Sequence, residues 1–414
     1  MSRVIVIGGG AAGLIASWRA ASLGAEVTLL EKTSRLGTKI LISGGGKCNI
    51  THAGETEEVL AAFRPNERKF LRPSFYAFGS QDVLKLVQHN GLKVYTRPDG
   101  RVFPVDGTAR DVVDSLVSHV RRSRVRIRLD SPVLGIEKTE PGKISVKTAQ
   151  ESFQGKVIVA VGGSSYPKTG STGDGWEWAK RAGHTIVPVR AALAPMDVTG
   201  ASTNADWRPG VALRDVTLSA RQGKVFACWR GDLLFSHHGV SGPCALGVSR
   251  DVDERLGDKV GLEVDLEPDL TQSSVAQSIM SWARKNPRKH VISLTIERLP
   301  NSLGALFASS LGQDRHRLGQ ELSEKTCFRL AERVKSWQIG SVAHVPLEKG
   351  EVVAGGVSLE EVDYQTMESH LTDGLYFCGE VLDIAGPVGG YNLQAAFSTG
   401  FVAGTSAANP SPKS

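Results

Sequence analysis

Gly8, Gly10 and Gly13, within Gly8-Gly9-Gly10-Ala11-Ala12-Gly13, follow at once on the apolar residues Val4 to Ile7. An acid, Glu31, closes the second apolar run, Val27-Thr28-Leu29-Leu30. Glycines so spaced between a strand and a helix hold the pyrophosphate of a dinucleotide. Gly8 allows the tight turn, and Gly10 lets backbone amides reach the phosphates, whose charge then lies on the N-terminus of a helix beginning near Ala12. Gly13 lets that helix pack close to its strand. Glu31 stands where a carboxylate accepts hydrogen bonds from adenosine ribose hydroxyls, and it would repel a 2′-phosphate. The plain alternative, a Gly-rich turn, has no use for an acid in that register.

Beyond Glu31 the chain reads Lys32-Thr33-Ser34-Arg35-Leu36-Gly37-Thr38-Lys39, then Ser43-Gly44-Gly45-Gly46-Lys47-Cys48-Asn49. A nicotinamide domain does not need this stretch. The diphosphate and ribityl chain of FAD run on past the first helix and need exposed amides and small residues along their path. Lys32, Gly37, Lys39, Gly44, Gly45, Cys48 and Asn49 are therefore candidate contacts, with a mobile surface loop as the alternative.

Near the C-terminus, the apolar run Gly374 to Cys378 ends in Gly379-Glu380, and Gly386-Pro387-Val388-Gly389-Gly390-Tyr391-Asn392 leads into a helical run from Leu393 to about Ala407. Gly379 permits close backbone approach, and Glu380 is placed to bond a ribityl hydroxyl. The helix after Gly390 could aim its positive end at the flavin pyrimidine edge and stabilise negative charge there. Gly389, Gly390, Asn392 and Leu393 join the contact set on this reading, and a C-terminal helix docked by small residues is compatible with it.

No second Gly-x-Gly-x-x-Gly unit exists in the sequence, so NAD(P)H enters only as a transient electron donor. The expected chemistry is hydride transfer at flavin N5 with a small organic substrate held in a cleft. His237, in Phe235-Ser236-His237-His238-Gly239-Val240-Ser241-Gly242-Pro243, is the candidate for proton transfer, since imidazole titrates near neutral pH. A hydrogen-bonded turn residue is the alternative. Tyr391 is a second catalytic candidate, with packing against the flavin as its other role. No covalent flavin attachment site stands out, and no metal site is expected.

These residues need a doubly wound scaffold. Helices are expected at 80–90 and 108–121, the second with Thr108 and Asp111 in capping spacing, and strands at 125–129, 133–138, 144–148 and 157–161. The last strand meets Gly162-Gly163. From 190 to 265 short strands with Pro and Gly breaks suggest an antiparallel, barrel-like insert, and helical stretches at 275–283 and 291–299 suggest a small helical lobe. The fold expected is α/β: a Rossmann-type FAD-binding domain (1–189 and 346–414) with an inserted substrate domain (190–345), β-rich over 190–265 and 336–345 and helical over about 266–335. A disordered tail is expected from Asn409.

At 414 residues, 41% hydrophobic and 22% charged, the chain has enough apolar content for two or three cores. No stretch is apolar enough to span a membrane, and with a buried strand beginning at once no leader is expected, which suits a cytoplasmic location. Five cysteines without Cys-x-x-Cys read as reduced thiols. A net charge of +6 raises nucleic acid as a partner. Arg122, Arg124, Arg126 and Arg128 alternate with Val125, Ile127 and Leu129, and Arg64, Arg68, Lys69 and Arg72 form a second group. No aromatic residues interleave for base stacking, so a solvated basic face is the favoured reading and nucleic acid the disfavoured one. Oligomeric state is left open.

With these motifs in hand, the sequence resembles the YhiN-like family of FAD-dependent oxidoreductases, which includes BaiN-like and aminoacetone oxidase-like relatives and shares its cofactor domain with the fumarate reductase and ketosteroid dehydrogenase group. Gly8 to Gly13, Ser43 to Asn49, Ala160 to Pro167 with Thr169 to Gly175, and Gly379 to Gly400 carry the resemblance, and Phe235 to Pro243 matches the family's central domain. It spans nearly the whole chain. Lys47 replaces the usual Arg and Val161 the usual Thr. The resemblance implies noncovalent FAD, with Val133, Ala160, Gly162 and Gly163 among its contacts. Three functions follow: an FAD oxidoreductase acting on a small molecule, by an enone-type reduction or an amine oxidation; a flavin-dependent RNA-modifying enzyme; and a flavin-binding protein without turnover.

Overall fold

The computed structural model describes residues 2–140, 142–294 and 299–409. The chain forms two compact units, Met1–Arg190 with Glu351–Ser414, and Ala191–Gly350. In the first unit, β1 (Arg3–Ile7), α1 (Ala11–Ser22) and β2 (Glu26–Leu30) form the expected β-α-β turn. Four of five residues in each strand are buried, as in parallel strands covered on both faces. Next come β3 (Thr51–His52), α2 (Thr56–Ala61), α3 (Pro65–Ala77), α4 (Ser80–Gln88), β4 (Val94–Thr96) and β5 (Arg101–Pro104), the three strands pairing in the order β3-β5-β4.

α5 (Ala109–Arg122) starts at the expected cap: the Asp111 carboxylate accepts from the Thr108 amide at 2.6 Å and hydroxyl at 2.8 Å. β6 (Arg126–Arg128) lies parallel to β2. β7 (Val133–Glu140), β8 (Lys143–Thr148) and β9 (Ser152–Val159) form an antiparallel meander. β9 serves two sheets, pairing with β8 through Gly155 and with β1 from Lys156 onward. A Cβ on Gly155 would lie 2.4 Å from the Arg3 carbonyl oxygen, so the crossing admits only glycine. α6 (Asp174–Arg181) and β10 (Ile186–Ala192) follow.

The second unit is built on a closed antiparallel barrel. Its strands are β11 (Met196–Val198), β12 (Ala212–Gln222), β13 (Lys224–Phe235), β14 (Gly239–Ser241), β15 (Gly261–Asp265) and β16 (Trp337–His344), ordered β11-β14-β13-β12-β15-β16. One correction applies to 190–265, which was read as strands. Pro243–Asp253 is a helix, α7, started by Gly242 at φ 84° and Pro243 in its first turn, with Cys244, Ala245, Val248 and Val252 buried at helical spacing. α8 (Gln272–Lys285), α9 (Asn301–Ser310) and α10 (Glu324–Lys335) form the helical lobe. Thr271 and Ser323 cap α8 and α10, their hydroxyls accepting from the amides of Ser274 at 3.1 Å and Thr326 at 3.2 Å. The stretch 291–299 crosses residues 295–298, which lie outside the described residues. Barrel and lobe share one core, in which Trp337 stacks on Phe235 (6.1 Å) and meets the ring of Phe307 edge-on (5.3 Å).

The chain then returns to the first unit with β17 (Val352–Val357) beside β10, β18 (Leu375–Phe377) parallel to β9, and α11 (Tyr391–Ala408). α11 packs on α1 at two glycines, where Cβ atoms on Gly400 and Gly404 would come within 2.4 and 2.5 Å of the Ala12 and Ala16 carbonyl oxygens. The tail expected to be disordered from Asn409 is tied at its first residue, whose carbonyl accepts from Lys156 Nζ at 2.7 Å. Residues 410–414 lie outside the described residues. Among the described residues no helix is long and apolar enough to cross a membrane.

Candidate functional site: a dinucleotide cradle in the first unit

The glycines of the first turn divide by what a side chain would meet. A Cβ on Gly8, which sits at φ 101°, would lie 2.5 Å from the Ala160 carbonyl oxygen, and one on Gly13 would lie 1.8 Å from that of Gly8. Both positions are dictated by the protein's own backbone. A Cβ on Gly10 would meet nothing within 4 Å, and Gly10 has φ −80°, ordinary for any residue. Space kept free at the N-cap of α1 fits a group that occupies it when bound.

Glu31 lies directly after β2 and is fixed from two sides. Its Oε2 accepts from the Gly9 amide at 2.7 Å, and its Oε1 accepts from the Thr33 amide and hydroxyl, each at 2.8 Å. The carboxylate is thus held against the glycine turn. Val133 opens β7 two residues after Ser131, whose amide donates to the Glu31 carbonyl at 2.9 Å. Lys32 is engaged with Asp174 Oδ2 (2.7 Å) and Thr172 Oγ1 (2.5 Å). Gly37 donates its amide to the Gly9 carbonyl at 2.8 Å, which folds the next segment back over the turn.

Gly44, Gly45, Gly46 and Cys48 all have positive φ, 56°, 66°, 84° and 59°. The Lys47 and Cys48 amides donate to the Gly44 and Ser43 carbonyls at 3.4 and 3.0 Å, so the turn closes on its own backbone. Cβ atoms on Gly45 and Gly46 would meet nothing within 4 Å. The Cys48 thiol is fully buried and pushed up to about 12 by that burial, so Cys48 can contribute only through its backbone. Asn49, with its amide turned to satisfy its neighbours, donates to the Thr51 and Val102 carbonyls (3.1 and 3.3 Å) and accepts from the Gly390 amide at 2.9 Å.

That contact joins the loop to the C-terminal motif. Lys39 Nζ donates to Glu380 Oε2 at 2.6 Å and to Ser165 Oγ at 2.8 Å, and Glu380 Oε1 accepts from the Val353 amide at 3.0 Å. A Cβ on Gly163 would lie 3.1 Å from Glu380 Oε1, and one on Gly162 3.8 Å from Oε2, so the strand-end glycines line the same carboxylate. Gly379, at φ 75°, faces the Ala12 methyl and donates its amide to Thr399 Oγ1 at 3.0 Å. Gly389 and Gly390 (φ 136° and 91°) form the turn into α11. Asn392 accepts from the Gly386 amide and donates to its carbonyl, both at 2.8 Å, so its amide pins the preceding loop; Leu393 lies half-buried in the first turn.

Motifs separated by more than 300 residues thus meet in one unit, and their open glycines and Lys39–Glu380 pair suit the phosphates and polyol chain of FAD. His52, Ser165, Thr399 and Gln394 were not singled out in the sequence. The His52 ring stacks on Tyr391 (4.5 Å, 19°), and Thr51 Oγ1 donates to Gln394 Oε1 at 2.6 Å. No spacing signal marks them, because long-range contacts define them. His237 lies in the other unit, exposed with His238 on the turn between β13 and β14. That turn is held by the Ser236 amide donating to the Gly239 carbonyl at 2.7 Å. Among the described residues no cluster of His, Cys, Asp and Glu is arranged to hold a metal.

Residues 2–406 match the family described as HI0933-like protein Rossmann domain. The chain is 32% identical over 398 residues, 95% of each chain, to the ribosomal RNA dihydrouridine synthase of Escherichia coli K12. It is 29% identical over 414 residues, 99% of each chain, to the 3-dehydro-bile acid delta(4,6)-reductase of Clostridium scindens. Its fold is similar to that of the 3-ketosteroid-delta4-(5alpha)-dehydrogenase of Rhodococcus jostii RHA1, with a TM-score of 0.52 at 16% identity over 99% of this chain and 97% of that one. The chain belongs to the HI0933-like protein Rossmann domain family.

Proposed function

We propose that this enzyme reduces a carbon–carbon double bond conjugated to a carbonyl, with noncovalently bound FAD and a transiently visiting NAD(P)H. The observation that carries this reading is the chemistry common to two relatives. Dihydrouridine formation saturates the ring alkene of uracil, and a delta(4,6)-reductase of a 3-dehydro-bile acid saturates alkenes conjugated to its 3-oxo group. Bound FAD supplies the hydride, from N5.

The chain's residues do the rest. Glu31 holds the adenosine ribose, the amides of the Gly8–Gly13 turn and the N-terminus of α1 bind the pyrophosphate, and Lys39 with Glu380 orients the ribityl chain. The N-terminus of α11 would favour negative charge on a flavin edge bound against it. His237, exposed on its turn, delivers the proton to the substrate carbon alpha to the carbonyl.

For the substrate, a small enone is the first reading. Uracil in RNA is the second, favoured by the 32% identical relative and by the net charge of +6, which attracts a phosphate backbone. Part of the basic strand is already neutralised, Arg126 by Glu26 (3.5 Å) and Arg128 by Glu151 (3.2 Å), while Arg68 and Lys69 on α3 are exposed.

The test is anaerobic. Protein reduced with NADH or NADPH is mixed with cyclohexenone, a steroid enone, or ribosomal RNA lacking dihydrouridine. The expected result is return of the oxidised flavin band together with a product two hydrogens heavier from one substrate class. Release of FMN or of no flavin on denaturation, or failure of every acceptor, would overturn the reading. Salt-sensitive turnover on RNA would select the second substrate class.

A further inference from the structure

The helical lobe and the barrel of the second unit do not close completely on each other. Between them lies a cavity of about 240 Å³. Leu213 and Val216 of β12 form one wall, with Ile279 of α8, Phe307 of α9, and Leu330 and Val334 of α10 opposite. Each of these side chains is at most 5% exposed. Interiors are packed to about 0.74 density with few voids larger than a water molecule, so a void of this size lacks the contacts a finished core makes. The pocket opens to solvent beside Arg214 and Glu267, and its apolar floor offers water few partners, which favours an apolar occupant.

The geometry points to this cavity as a binding site for a small, neutral, apolar molecule of about bicyclic-aromatic size. A void of ~150 Å³ accommodates benzene, which sets the scale. The polar lining argues against an anion. Arg214 is already paired with Asp232, and Glu267, the other charged lining residue, would repel a carboxylate or phosphate. All of its lining residues belong to the Ala191–Gly350 unit, whereas every candidate cofactor residue named above belongs to the other, so binding here is tested without turnover.

Naphthalene, benzene and indole serve as probes for titration calorimetry and thermal shift on the full-length holoenzyme. Saturable one-to-one binding, with a raised melting temperature and an unchanged flavin absorbance spectrum, is the expected result. Ile279→Phe on α8 and Val334→Phe on α10 fill the void from two different helices, and each should weaken naphthalene binding by at least about tenfold. Leu330→Ala enlarges the void and should improve naphthalene binding relative to benzene, a change opposite in sign that guards against a filled variant that fails to fold. Absence of saturable binding to the wild-type holoenzyme, equal binding by the folded filled variants, or a probe that perturbs the flavin spectrum would each overturn the assignment.

Discussion

The imidazole of His52 lies flat against the ring of Tyr391, with centroids 4.5 Å apart and planes 19° apart, while His52 Nδ1 stands 3.0 Å from the Gly389 carbonyl. A carbonyl can only accept, so the proton sits on Nδ1. Phe63 meets Tyr391 edge-on at 6.0 Å, and burial raises the phenol pKa, which disfavours loss of its proton at neutral pH. The stack therefore clamps the Gly389-Gly390 turn that opens α11. Tyr391→Phe should keep FAD affinity and turnover within about twofold, and Tyr391→Ala should weaken FAD binding by about 0.5–1.5 kcal/mol. Fluorescence titration of the apoprotein with FAD measures both. A loss of about 10²-fold in turnover for the Phe variant would instead assign proton transfer to Tyr391.

Gly13 and Gly10 should fail in different ways. The Gly13→Ala methyl would fall 1.8 Å from the Gly8 carbonyl oxygen, so α1 must move and the apoprotein should lose melting temperature. The Gly10→Ala methyl enters open space at an ordinary φ, so the apoprotein should melt as wild type while FAD binding falls steeply. Calorimetric melting of the two flavin-free variants, followed by FAD titration, separates the effects. Equal FAD affinity for Gly10→Ala and wild type would remove Gly10 from the cofactor site.

Local constraint explains what could be read from the sequence. The turn after β1, the left-handed residues Gly44, Gly45, Gly46 and Cys48, and the Gly389-Gly390 turn announce themselves because positive φ and close backbone approach demand glycine or its rare substitutes. The Thr108–Asp111 cap is readable for the same reason, lying within one turn of helix. α7 is not, since Gly242 and Pro243 signal a break as readily as a helix start. Nor are His52 and Thr399, whose partners Tyr391 and Gly379 are identified only once the chain has folded.

His237 carries the prediction for turnover. Its side chain is exposed on the turn after β13 and belongs to the unit without the cofactor residues, so His237→Gln should leave FAD affinity and melting temperature unchanged. Turnover on the accepted substrate should fall by about 10²- to 10⁴-fold. Stopped-flow reoxidation by substrate reads the step directly. Full turnover would make His237 a turn residue only.

Acid stability should be governed in part by His184, whose side chain is wholly buried. Its Nε2 lies 2.7 Å from Ser369 Oγ, its Nδ1 3.3 Å from Glu361 Oε2, and its ring meets Phe377 edge-on at 4.9 Å. Burial lowers its pKa below the usual 6.5, and Glu361 opposes that shift without cancelling it. The unfolded chain therefore binds more protons than the folded one between the lowered value and 6.5, and stability rises with pH across that window. The contribution is complete above 6.5 and is lost as pH falls through the folded-state value. Glu361 adds a second loss at lower pH, since the Thr185 hydroxyl and amide outweigh burial and hold its carboxyl below 4.5. Melting temperature should thus drop as the pH falls below about 6.5. His184→Asn should melt lower at neutral pH, having lost the Ser369 contact, and should show a flatter dependence across the same interval. Parallel curves for the two proteins would show that His184 does not titrate on unfolding in this range.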